Sequence, residues 1–256
     1  MCYDDTARPP LPPIAGGAQR AEGRAIELTA EDDNRFTAFS ARTGSPGGPG
    51  IVILPDVRGL HQFYRELAIR FAEANVHATA FDYFGRTAGF GDRDDQFDSM
   101  KHAQLTQADW VALDTAAVVA HLRSPEGGGA DRVFTVGFCF GGRHSFNQAA
   151  RGHGLSGVIG LYGIPAPRSA DDLNAPVLLA SAYECPVLGL FGGADRAISS
   201  GDIAAFRQAL DEAGVQNELV VYEGAPHSFF DRVYAQYQMQ CKDAWDRMLR
   251  FIAGRG

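Results

Sequence analysis

One cysteine stands where a nucleophile would be placed. The segment Val133-Phe134-Thr135-Val136-Gly137-Phe138-Cys139-Phe140-Gly141-Gly142 opens as an apolar strand, closes as Gly-x-Cys-x-Gly and runs on into Arg143-His144-Ser145-Phe146. A residue forced onto a sharp strand-to-helix turn is held out from the backbone, and glycines two positions before and after it remove the Cβ atoms that would collide there. The Cys139 sulfur would then stand at the N-terminus of the next helix, where unpaired N–H groups and the helix dipole favour a thiolate. With four cysteines and 30 glycines in 256 residues, about 0.05 such patterns arise by accident. The competing reading is a buried cysteine packed as a small hydrophobe between strand and helix.

A cysteine nucleophile requires a base for its proton, and the base requires a third group to fix its tautomer. Pro186-Val187-Leu188-Gly189-Leu190-Phe191 reads as an apolar strand, and Gly192-Gly193-Ala194-Asp195 sets an acid just past its carboxyl end. Glu218-Leu219-Val220-Val221-Tyr222 reads as another, followed by Glu223-Gly224-Ala225-Pro226-His227-Ser228-Phe229. Singly, Asp195 is a turn carboxylate and His227 a surface or core histidine. Jointly, nucleophile, acid and histidine follow three strands in the order that α/β-hydrolases use. His61, His77, His102, His121, His144 and His153 lie in helical, strand or surface contexts without such a partner, and are read as structural.

The elements that must hold these residues alternate between strand and helix. Asn34 to Arg42 alternates as an antiparallel edge strand, and Ser45-Pro46-Gly47-Gly48-Pro49-Gly50 is a turn. Gly50 to Leu54, Val76 to Phe81, Arg132 to Val136, Gly157 to Leu161, Pro186 to Phe191 and Glu218 to Tyr222 are short apolar runs suited to strands covered on both faces. Helices are expected with Phe63, Leu67 and Phe71 on one stripe, with Trp110, Leu113, Ala117 and Ala120 on another, near Ser200 to Ala213, and at the end with Cys241, Trp245, Met248, Leu249 and Ile252 inward. This alternation predicts an α/β fold with a mostly parallel central sheet flanked by helices, whose active groups lie at the carboxyl ends of the strands. Residues 1–24, rich in Pro and Gly, are read as an extended lead-in to a single domain over 25–256, and Pro165 to Cys185 is too polar at its start for core.

Composition narrows the function classes. Hydrophobic residues make up 45% and charged residues 21%, as in an ordinary globular chain, and no apolar run approaches a membrane span. The amino terminus lacks the basic and apolar regions of a secretory signal, so the expectation is a cytoplasmic protein. The four cysteines are far apart, with no Cys-x-x-Cys pair, which points to neither a zinc site nor a disulfide framework. A net charge of −8 without a Lys/Arg cluster argues against nucleic acid as a partner, while an anionic small substrate stays compatible because a local arginine pair can dominate a pocket.

Gly137-Phe138-Cys139-Phe140-Gly141-Gly142, Gly192-Gly193-Ala194-Asp195 and Gly224-Ala225-Pro226-His227-Ser228-Phe229 together resemble the dienelactone hydrolases, α/β-hydrolases with cysteine in place of serine. Ile53-Leu54-Pro55-Asp56-Val57-Arg58-Gly59, Phe81-Asp82-Tyr83-Phe84-Gly85-Arg86 and Leu161-Tyr162-Gly163 extend the likeness over nearly the whole chain after Ala25. The resemblance implies Cys139 as nucleophile, Asp195 as orienting acid, His227 as base, and an oxyanion hole from the backbone N–H groups of Val57 and Phe140. It also implies a glutamate that holds the resting thiol, at whose position this chain has the shorter Asp56. The family's two arginines for a substrate carboxylate correspond to Arg93 and, beside an Asp231 that occupies the expected place, Arg232.

The chemistry so implied is attack of a thiolate on the ester carbonyl of a small lactone, ring opening, and hydrolysis of the acyl-enzyme by water activated at His227, with no metal or organic cofactor. A free thiol is only about 3% thiolate at pH 7, so the helix terminus and His227 must favour the anion. Other readings are a general carboxylesterase or thioesterase on the same three residues, and a ligand-binding scaffold without turnover. The sequence leaves monomer or homo-oligomer open.

Overall fold

The computed structural model describes residues 7–14, 20–94 and 96–254. Eight strands form one sheet: β1 (Ala21–Thr29), β2 (Arg35–Thr43), β3 (Pro49–Leu54), β4 (His77–Phe81), β5 (Arg132–Phe138), β6 (Gly157–Leu161), β7 (Val187–Gly192) and β8 (Asn217–Tyr222). Their spatial order is β1-β2-β4-β3-β5-β6-β7-β8. β1 and β2 run antiparallel, β2 pairs antiparallel with β4, and every pairing from β4 through β8 is parallel. Parallel strands require crossovers, supplied by helices packed on both faces: α1 (Gln62–Glu73), α2 (Gly85–Ala88), α3 (Ser99–Leu105), α4 (Ala108–Arg123), α5 (Phe140–Gln148), α6 (Pro176–Leu179), α7 (Ser200–Glu212) and α8 (Gln238–Ile252).

Burial on both faces explains why the central strands are apolar runs. Along β3, Ile51 and Ile53 enter one hydrophobic cluster with α1, α7 and α8, while Val52 and Leu54 enter the other with α4. Phe63, Leu67 and Phe71 of α1 are fully buried as their spacing predicts, and the Phe71 ring meets Trp245 of α8 at 4.7 Å. Because the strands from β4 to β8 are parallel, the loops after β3, β5, β7 and β8 all emerge at one edge of the sheet.

The structure departs from the sequence reading in four places. Ala21–Thr29 is a strand, mostly exposed, that caps the sheet, so β2 lies inside the sheet rather than at its edge. On α4 the buried stripe is Val111, Asp114, Thr115, Val118, Val119 and Leu122, one position round from Trp110, Leu113, Ala117 and Ala120. Asp114 can turn inward because Arg86 and Asn34 both donate to it, at 2.8 and 3.1 Å. The proline-rich start is also anchored: the Pro10 carbonyl accepts a 3.0 Å hydrogen bond from the Trp245 indole. Between Pro165 and Cys185 the chain forms α6 and a short 3-10 turn, and both carboxylate oxygens of Asp172 accept from Arg143 Nη2, at 2.8 and 2.7 Å.

Candidate active site

Cys139 caps the N-terminus of α5 at φ 54° and ψ −111°, a backbone conformation that a non-glycine residue adopts only under constraint. The constraint is close packing. A Cβ on Gly141 would overlap the carbonyl oxygens of Leu54 and Pro55, and one on Gly137 would overlap the Gly141 carbonyl. The elbow can therefore press against the end of β3 only with glycine at those positions. On the other side the Cys139 N–H donates to the Leu161 carbonyl at 3.0 Å, tying the turn to β6.

β7 lies two strands from β5, about 10 Å in the sheet, and β8 lies one further. The loops after β7 and β8 must therefore arch back over the sheet edge to meet Cys139. They pack tightly to do so: the Ala194 N–H donates to Ala225 at 2.9 Å, and a Cβ on Gly192 would overlap the Ala225 carbonyl. His227 Nδ1 stands 2.6 Å from Asp195 Oδ2, and Asp195 Oδ1 accepts the Ala197 N–H at 2.8 Å. With Nδ1–H donating to Asp195, the other ring nitrogen is left to face the sulfur, and His227 is hydrogen-bonded to Cys139. Burial works against a charged imidazole, but the hydrogen bonds to Asp195 and Cys139 and their negative charges outweigh it, and the His227 pKa is pushed up to about 10.

Three non-glycine residues with positive φ converge here: Cys139, Tyr162 at 41° and Ser228 at 60°. Tyr162 follows β6, and its ring lies 5.0 Å from that of His227. The Tyr162 hydroxyl donates to Asp231 Oδ2 at 2.8 Å, and the Arg232 N–H donates to Asp231 Oδ1. Asp231 is fully buried, and burial first and the charge of Asp56 second hold its carboxyl far above the usual range. Asp56 is fully buried as well, and its Oδ1 accepts the Arg58 N–H at 2.8 Å.

Val57 lies in the loop three residues after β3, and Phe140 opens α5 directly after Cys139. Among the described residues neither N–H is engaged by a loop or cap carbonyl. Tyr83 steadies this side by donating to the Asp56 carbonyl at 2.6 Å. The two arginines named from the sequence lie elsewhere. Arg93 is buried with its guanidinium on Asp82 at 3.1 and 2.6 Å and on the Gly89 carbonyl at 2.6 Å, stacked 4.6 Å above Phe97. Arg232 is exposed.

The family model for dienelactone hydrolases matches residues 36–255. The chain belongs to the dienelactone hydrolase family. A Rhodococcus opacus carboxymethylenebutenolidase is 29% identical over 260 residues, covering 98% of this chain and 96% of that protein. A Salmonella typhimurium protein named "Putative carboxymethylenebutenolidase" is also 29% identical, over 99% of this chain and 96% of its own length. The Klebsiella pneumoniae crystal structure named "Putative Dienelactone Hydrolase" superposes with a TM-score of 0.78 at 29% identity, covering 91% of this chain and 99% of that one. Like that structure, this dienelactone hydrolase family member has the α/β-hydrolase arrangement expected from the strand and helix alternation.

Sequence reasoning gave Tyr162 no role and did not foresee that Asp231 is buried. Only the aromatic residue following a strand end hinted at the first. No group of three or more His, Cys, Asp or Glu side chains among the described residues could hold a metal ion. Among the described residues no helix is long and apolar enough to cross a membrane.

Proposed function

We propose that this family member is a cysteine-dependent hydrolase that opens a small lactone or ester through Cys139, His227 and Asp195. The observation that carries the reading is the chain of contacts from Asp195 through His227 to Cys139, with the cysteine fixed at the N-terminus of α5. An imidazole that keeps its proton up to about pH 10 while bonded to the sulfur favours a thiolate–imidazolium pair, which supplies a nucleophile at neutral pH.

In this mechanism the thiolate attacks the carbonyl carbon, and the Val57 and Phe140 N–H groups receive the developing oxyanion, each worth about 3 kcal/mol in the barrier. Collapse of the tetrahedral intermediate breaks the C–O bond, and the imidazolium gives its proton to the departing alkoxide or enolate, which in a lactone stays tethered. Once the sulfur is acylated its charge is gone, the His227 pKa falls, and the neutral ring takes a proton from water for the second attack. The acid product leaves and the thiolate returns. No step calls on a metal or organic cofactor. Asp56, the residue immediately before Val57, is the group suited to hold the resting thiol.

A general carboxylesterase or thioesterase on the same residues is the second reading, and the placement of the arginines favours it. Carboxylate binding by Arg93 would require its release from Asp82, and Asp231 occupies the position next to Arg232. Comparing kcat/KM for dienelactone with that for a neutral aryl ester separates the two. For either, intact-mass measurement during turnover should show an acyl adduct on Cys139, and Cys139→Ala should abolish both adduct and hydrolysis. Full hydrolysis by Cys139→Ala would overturn the assignment.

A further inference from the structure

Tyr83 lies two residues past β4 and is almost wholly buried, its ring meeting those of Phe81 and Phe84 edge to face at 5.8 and 4.8 Å. Its hydroxyl reaches the loop after β3, standing 2.5 Å from the Pro55 carbonyl and 2.6 Å from the Asp56 carbonyl. The same ring lies 5.5 Å from that of Phe140, the residue after Cys139. We propose that Tyr83 is the positioning residue of the oxyanion hole: its hydroxyl, held on the Asp56 carbonyl, fixes the plane of the Asp56–Val57 peptide and so aims the Val57 N–H, while its ring braces Phe140. This deepens the hydrolase reading and rests on it.

The physical reason is the planarity of the trans peptide, in which C=O and N–H point in opposite directions. A hydrogen bond that fixes the Asp56 carbonyl therefore fixes the Val57 N–H on the far side of the same plane. It also polarises the amide, which makes that N–H a stronger donor. The neighbouring N–H groups of the loop are already used: Asp56 donates to the Tyr64 hydroxyl at 3.0 Å, Arg58 to Asp56 Oδ1 at 2.8 Å and Gly59 to the Asp56 carbonyl at 3.0 Å. The Val57 N–H meets no acceptor among the described residues, so it is the one left for a substrate oxygen. The Gly59 bond lies within the loop and moves with it. Tyr83 ties the loop to a different strand, where the adjacent Asp82 N–H donates to Thr37 of β2 at 2.9 Å. The loop in turn abuts the elbow, since a Cβ on Gly141 would overlap the carbonyl oxygens of Leu54 and Pro55. An oxyanion donor helps only when it is aimed before charge develops, which is what an anchor outside the loop supplies.

The test sets two reactions of Cys139 side by side on the full-length protein at neutral pH. Hydrolysis of 4-nitrophenyl butyrate passes through an oxyanion in both acylation and deacylation. Alkylation by iodoacetamide displaces iodide from a CH₂ carbon as the S–C bond forms, and no oxyanion arises. Tyr83→Phe should therefore lower kcat by about tenfold or more with KM within about threefold, while the alkylation rate of Cys139 stays within about twofold. Tyr64→Phe removes a hydroxyl from the preceding peptide of the same loop and should lower kcat by less than about threefold. An unchanged kcat in Tyr83→Phe, a parallel fall in alkylation, or an equal loss in Tyr64→Phe would each overturn the proposal. Should Tyr83→Phe fail to fold, 3-fluorotyrosine at position 83 keeps ring and hydroxyl and makes the O–H a stronger donor. Its kcat should hold or rise, and a fall of more than about threefold in the folded protein would also overturn the proposal. Absence of a Cys139 acyl adduct in the unmodified protein would instead overturn the hydrolase reading, and this inference with it.

Discussion

Asp195 and Asp231 lie on two flanks of one histidine, and both carboxyls are shut away from solvent. Asp195 bonds a ring that can become a cation, and together with Cys139 it pushes His227 up to about 10 against the opposing effect of burial. Asp231 bonds a tyrosine hydroxyl and an N–H, and its charged neighbours share its sign, so burial prevails and it stays protonated. Similar side-chain burial thus meets opposite surroundings. What decides is the partner: a cation in reach compensates desolvation, and neutral donors beside a second acid do not.

The largest expected effect breaks the site altogether. Cys139→Ala should lower kcat/KM for any ester by on the order of 10⁴ or more, measured under single-turnover conditions to exclude traces of contaminating esterase. Asp195→Asn should cost about 10² to 10⁴ in kcat/KM, because the amide keeps the shape and loses the charge that orients the imidazolium. The same variant sharpens the comparison between flanks. With less support for the imidazolium, the iodoacetamide reaction of Cys139 should rise only at higher pH, whereas Asp231→Asn should leave that profile in place. Equal displacement in the two variants would contradict the contrast drawn between them.

Smaller effects concern stability. Tyr162→Phe leaves buried Asp231 without its 2.8 Å hydroxyl partner and should cost about 1–3 kcal/mol in denaturant unfolding. It should also lower kcat severalfold by loosening the ring against which His227 packs. The pH dependence of folding has the same sign on the two flanks but acts in different pH windows. The His227 pKa is raised from 6.5 to about 10 on folding, so its contribution is fully present below about pH 6.5 and is lost as pH rises through 10. Thermal melts of His227→Asn should therefore lack that part of the decline. Asp231, also raised on folding, contributes fully below the ordinary carboxylate value and progressively less as pH rises above it, so Asp231→Asn should hold or raise Tm at pH 7.

How much of this was legible depended on whether the signal was local. The elbow was, since strand, cysteine and glycines are contiguous, and the glycines proved necessary because Gly141 presses on the backbone at Leu54 and Pro55. The central strands were too, as unbroken apolar runs. β1 was not: it is mostly exposed and lacks the apolar alternation that marks a strand. On α4 the apolar spacing pointed to the wrong stripe because Asp114 is inward, neutralised by an arginine 28 residues earlier.

By itself, then, the sequence determined the alternating α/β architecture, the strained cysteine turn, and the strand-end positions of Asp195 and His227. These follow from local periodicity and backbone sterics, which act over a few residues. Only the tertiary structure decided which charges survive: that Arg93 belongs to Asp82, that Tyr162 links Asp231 to the side of His227, and that Asp56 and Asp231 share one buried neighbourhood. Charge states depend on solvent exclusion and on partners as far as 175 residues apart in the chain, and those are set when the sheet brings its strand ends together.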